Sequence, residues 1–128
     1  KITSIDIFKA IVESPTPGWF PICVRVNTDE ALRLGESGIP VMSGRDATMT
    51  MISEIAPFIL GMDPWITGDL AEVVQRLLLA YGGGPIPFAA ISALDIALWD
   101  IKGKATNLPV YKLLGGKLNS KIKAYASQ

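Results

Sequence analysis

The sequence predicts an α+β fold in which a three-stranded antiparallel meander precedes a helical bundle. Two observations carry this. In the first third, Ser4-Ile5-Asp6-Ile7 alternates polar with apolar residues, and a second run is rich in Ile22, Val24 and Val26, as half-buried strands are. Further on, Met49, Ile52, Ile55 and Ala56 recur at the spacing that lays one apolar stripe along a helix.

The elements follow in order. The first strand must end by Ser14-Pro15-Thr16-Pro17-Gly18, a cluster that cannot continue a ladder. A second strand is expected from about Trp19 to Val26, and Asn27-Thr28-Asp29-Glu30 turns it into a third around Leu32 to Ser37. Ser43-Gly44-Arg45-Asp46 offers capping side chains to a first helix that ends near Pro57 to Gly61. Asp63-Pro64 reads as an N-cap with proline in the first turn of a second helix, through Leu70, Val73, Val74 and Leu77 to Tyr81, which Gly82-Gly83-Gly84-Pro85 stops. A third helix from about Pro87 to Lys104 is apolar on nearly every side and must be buried on more than one face. Two amphipathic helices on a three-stranded sheet supply one layer of cover, so the third helix is expected to need cover from beyond these residues. Asn107-Leu108-Pro109 then leads into a short helical piece ending at Gly115-Gly116, and Ile122 to Ala126 reads as one more strand.

Composition excludes several classes of function. The 128 residues hold twelve basic and twelve acidic side chains, no histidine and one cysteine, Cys23, and 49% of them are apolar. Without histidine there is no Ser/His/Asp or Cys/His nucleophile system and no imidazole metal ligand, and one cysteine permits neither an internal disulfide nor a cysteine-based zinc site. Balanced charge argues against nucleic-acid binding, and no apolar run is long enough to span a bilayer. A reduced, cytoplasmic setting is expected. After Asp100 no acidic residue follows, while Lys102, Lys104, Lys112, Lys117, Lys121 and Lys123 do; they read as a solvated or partner-facing surface.

Few residues point to chemistry. Gly82-Gly83-Gly84 and Gly115-Gly116-Lys117 lack the flanking pattern of a phosphate loop and read as stops or turns. The carboxylates are scattered, with none converging in sequence on a magnesium site. Asp100 stands four residues before Lys104, the favourable orientation for a helix ion pair, and Asp95 reads as bonded at a packing boundary. Cys23 reads as a small core residue. Two segments are apolar where connections are ordinarily polar: Pro15-Thr16-Pro17-Gly18-Trp19-Phe20 and Gly38-Ile39-Pro40-Val41-Met42-Ser43-Gly44. Packing on the domain's own core and forming a lid over a ligand site are both open to them.

The run Ala90-Ile91-Ser92-Ala93-Leu94-Asp95-Ile96-Ala97-Leu98-Trp99-Asp100-Ile101-Lys102-Gly103-Lys104, followed by Leu108-Pro109-Val110-Tyr111-Lys112-Leu113-Leu114-Gly115-Gly116, closely resembles the first signature of the mandelate racemase and muconate lactonizing enzyme group of the enolase superfamily. Gly35-Glu36, Gly61-Met62-Asp63-Pro64 and Lys123-Ala124-Tyr125-Ala126-Ser127 agree in order with that family. Two places depart from it: Ala31 and Arg33 stand where relatives usually carry glycines, and Leu77-Leu78-Leu79-Ala80 is more aliphatic than theirs.

The resemblance implies an enolase-type N-terminal capping domain over residues 1–118, with residues 119–128 opening a (β/α) barrel that lies beyond this sequence and whose first strand starts here. It implies a magnesium-dependent enzyme that abstracts the proton α to a carboxylate, most simply a sugar-acid dehydratase, with a racemase or epimerase as the alternative. Magnesium and the catalytic groups belong to the barrel, so this chain contributes no catalytic or metal-binding residue and is expected to be inactive alone. The two apolar segments match the family's specificity loops, which makes Pro17, Trp19, Phe20, Ile39, Pro40 and Met42 the candidates to shape the pocket. The expected partners are the barrel of the same polypeptide, a small carboxylate substrate and further copies in a homo-oligomer, with neither nucleic acid nor membrane. A free-standing binding module and a remnant without function are the readings from other classes.

Overall fold

A computed structural model describes residues 1–9, 21–30, 35–39, 44–65, 72–73, 76, 82 and 84–125. Strands β1 (Ile2–Lys9), β2 (Ile22–Thr28) and β3 (Gly35–Ile39) form one sheet in the order β1-β2-β3, and both pairs are antiparallel. The second and third strands run past the ends the sequence pattern gave them, to Thr28 and Ile39, while Trp19, Phe20 and residues 31–34 lie outside the described residues. Asn27 and Thr28, read as turn residues, instead pair with Ser4 and Ile2, because β1 reaches far enough to hold them in the ladder. Gly38 and Ile39, read as loop, pair with Cys23 and Ile22.

The sheet has one dry face. Ile22, Val24 and Val26 point into the core and are at most 1% exposed. The intervening residues stand on the other face. There Asn27 Nδ2 donates to Ser4 Oγ at 2.9 Å and to Asp6 Oδ2 at 2.8 Å, and the Arg25 guanidinium lies 5.2 Å from the Phe8 ring centroid. Cys23 shares this face and is half-buried, which corrects its reading as a core residue: the strand's two-residue period carries it away from the helices.

Helix α1 (Arg45–Ile59) buries Thr48, Ile52, Ile55 and Ile59, one stripe at four-, three- and four-residue steps. Met49 and Ala56, read into that stripe, are half-buried on its flanks. Its N-cap is Gly44 in the left-handed region at φ 75°, with no side-chain cap bond; the first intrahelical bond runs from the Thr48 N–H to the Gly44 carbonyl at 2.8 Å, to which Thr48 Oγ1 also donates at 3.0 Å, and Ser43 lies outside the described residues. Pro57 is tolerated inside the helix because it and Ser53, whose carbonyl loses its partner, both lie on the exposed side. Past its end, the Ile2 N–H donates to the Met62 carbonyl at 2.9 Å and the Gly61 N–H to the Ile2 carbonyl at 2.8 Å, covering the start of the β1 edge.

The expected second helix lies largely outside the described residues; Glu72, Val73 and Arg76 are helical, and Glu72 and Arg76 pair at 2.6 Å. The departures at Ala31, Arg33 and 77–80 lie outside them as well. Asp63 Oδ1 accepts from the Trp65 N–H at 3.0 Å, closing the turn there, while the helix it was expected to cap begins outside the described residues.

Helix α2 (Pro85–Thr106) is longer at both ends than the reading of Pro87 to Lys104. Prolines in the first turn need no N–H, and Asn107 in the left-handed region at φ 54° closes the last turn by donating its N–H to the carbonyls of Gly103 and Lys104. It packs across β2 and β3 and against α1, so sheet and helices form two layers with the core between them. Its opposite side leaves Phe88 at 53% and Ile96 at 46% exposure. Short α3 (Val110–Leu113) follows. The strand expected from Ile122 is not formed over residues 121–125, where Ile122 and Tyr125 are 87% and 90% exposed: a strand needs a neighbour to take its hydrogen bonds, and none is offered among the described residues.

Candidate functional site

One end of the sheet gathers the boundaries of both apolar segments. Lys9, the last residue of β1, pairs with Ile22, the first of β2, and Ile22 pairs in turn with Ile39, the last of β3. The segment 10–20 therefore leaves and re-enters the sheet beside the point where 40–43 departs for α1. Neighbouring strands are roughly 5 Å apart, so the three anchors lie within roughly 10 Å. Of the six pocket candidates, Ile39 falls at the end of β3, while Pro17, Trp19, Phe20, Pro40 and Met42 lie outside the described residues.

The same end is tied to the helices. Lys9 Nζ stands 2.9 Å from Asp46 Oδ1, bridging the end of β1 to the start of α1, and Arg45 Nε lies 3.7 Å from the same oxygen. A Cβ at Gly44 would meet Ile86 Cδ1 at 3.5 Å, which places the first turn of α2 against the N-cap of α1. The bond from Lys9, then its charge, holds the Asp46 carboxyl below the ordinary aspartate value of 3.8. A depressed pKa contributes stability that is present above 3.8 and is lost as pH falls through the lowered value. In an NMR titration Asp46 is expected to ionise below 3.8 and, in Lys9→Met, to move up toward it; an unchanged Asp46 titration would show that the pair does not form in solution.

A second charged group lies toward the far end of α2. Lys102, read from sequence as a surface lysine, is 6% exposed, with its Nζ 4.6 Å from the Trp99 ring centroid. The correction has a simple cause: the four-carbon stem lies along packed surface while the ammonium meets an aromatic face. Burial pushes its pKa down, and the charges of Asp95 and Asp63 oppose that. Burial likewise pushes Asp95, which is half-buried, up against the pull of Lys102. The ion pair expected between Asp100 and Lys104 is present at 2.7 Å. No sequence pattern marked Lys102, because its burial is set by packing around the helix and not by spacing along it.

The described residues do not fit a metal centre. Among them no group of three or more His, Cys, Asp or Glu converges to hold an ion. Nor is any described helix long and apolar enough to cross a membrane.

The described residues thus build an antiparallel sheet backed by one long apolar helix, with the ends of segments 10–20 and 40–43 gathered at one end of the sheet. The chain belongs to the family described as mandelate racemase / muconate lactonizing enzyme, N-terminal domain, whose profile matches residues 21–115. It is 41% identical to the D-galactonate dehydratase of Pectobacterium atrosepticum over 98% of this chain and 31% of that protein. It is 43% identical to the D-galactonate dehydratase of Klebsiella pneumoniae over 86% of this chain and 28% of that one. Among solved structures it resembles an enolase from Pantoea ananatis with bound D-gluconate and magnesium, at 34% identity and a TM-score of 0.74, covering 92% of this chain and 28% of the other. The chain thus spans about three tenths of the length of these relatives.

Proposed function

We propose that this chain is the capping, substrate-facing portion of a magnesium-dependent sugar-acid dehydratase acting on an aldonic acid of the galactonate kind. The observation that carries the reading is the 41% identity to the D-galactonate dehydratase of Pectobacterium atrosepticum across 98% of the chain. Residues 1–118 form the cap, and 119–128 begin the barrel that supplies the catalytic groups and holds the metal. The exposure of Leu118, Ile122 and Tyr125 at 96%, 87% and 90% supports that boundary, since apolar side chains at this density call for cover. The magnesium and D-gluconate in the Pantoea ananatis enzyme support the ion and the substrate class.

In this reading Pro17, Trp19, Phe20, Ile39, Pro40 and Met42 close over the sugar acid, exclude water and shape the pocket. Their side chains carry no titratable group, so they select and enclose while proton transfer is left to the rest of the polypeptide. Removing the α-proton and the β-hydroxyl from an aldonic acid leaves an enol that becomes a 2-keto-3-deoxy acid.

The test is turnover of D-galactonate and a panel of aldonic and aldaric acids by the full-length enzyme, followed by appearance of the α-keto acid. Dehydration that EDTA abolishes and magnesium restores is the expected result. Epimerised product without keto acid would replace dehydration by racemase chemistry, and no turnover of any member would favour the binding-module reading.

A further inference from the structure

We draw no further inference here: the strongest candidate, the exposed apolar surface patch that Phe88 and Ile96 form on the outer side of α2, is an unpartnered helix face, and nothing in the structure shows what covers it.

Discussion

Leu94→Ala is expected to lower the unfolding free energy by about 2–5 kcal/mol. Leu94 is 0% exposed in the middle of α2, within the core that the helix forms with the sheet and α1. Truncation removes the transfer free energy of its outer carbons and leaves a cavity that close-packed neighbours such as Ala90, Ala97 and Ile52 are too constrained to refill. Alanine's slightly better helix propensity offsets only a few tenths of that. Because a domain of this size has about 5–15 kcal/mol in total, the substitution removes a large share. Ile96→Ala, two residues on and 46% exposed, is the control and is expected to change stability by about 0.5 kcal/mol or less. Urea unfolding followed by far-ultraviolet circular dichroism reads both. Equal losses from the two would show that α2 does not seat on the sheet by the face described.

Gly103→Val is expected to cost about 1–3 kcal/mol through overpacking at the corner where α2 meets α3. A Cβ built on Gly103 would stand 3.1 Å from the Leu108 carbonyl oxygen and 3.3 Å from Val110 Cγ2. The obstruction is backbone, and that backbone is held in place: the Leu108 N–H donates to the Gly103 carbonyl at 3.0 Å, and Asn107 is committed to the left-handed cap. Alanine would gain about 1 kcal/mol of helix propensity against a contact only slightly too close, so its net effect is small. Valine adds two methyl groups in the same space and loses rotamer freedom in the helix. Neighbouring Lys104→Ala, which removes only the pair with Asp100, is expected to cost about 0.3–0.5 kcal/mol. A Gly103→Val midpoint within that smaller range would show that the corner opens without cost.

Ser92, Ile96 and Gly103 share one face of α2 by helical spacing, yet only Gly103 is buried on it. The chain's own return through Leu108 and Val110 covers that position, and no periodicity within the helix announces it. Residues whose environment is set by distant parts of the chain share this property. Lys102 counted in sequence as one of six surface charges, and it is buried with its ammonium against the Trp99 ring. Cys23 sat in an apolar strand, and the sheet's pairing decided that Ile22, Val24 and Val26 would take the dry face instead.

The candidate site divides the same way. Its two segments were visible because prolines, tryptophan, phenylalanine and methionine crowd stretches that connections usually fill with polar residues. That the ends of both gather at one end of the sheet came from the register of Lys9, Ile22 and Ile39, and the ion pair of Lys9 with Asp46 came from the position of α1 beside that end.

By itself the sequence determined that β1, β2, α1, α2 and α3 form, where Asn107-Leu108-Pro109 punctuates them, the Asp100 and Lys104 pair, and the family through its long signature on α2. These depend on interactions within a few residues, where spacing and side-chain type are sufficient. The tertiary structure alone decided the register of β3, the buried places of Lys102 and Gly103, the exposed face of Cys23, and the absence of a strand over 121–125. Each of these depends on what a distant segment places alongside, and a strand or a buried charge exists only when its partner is there.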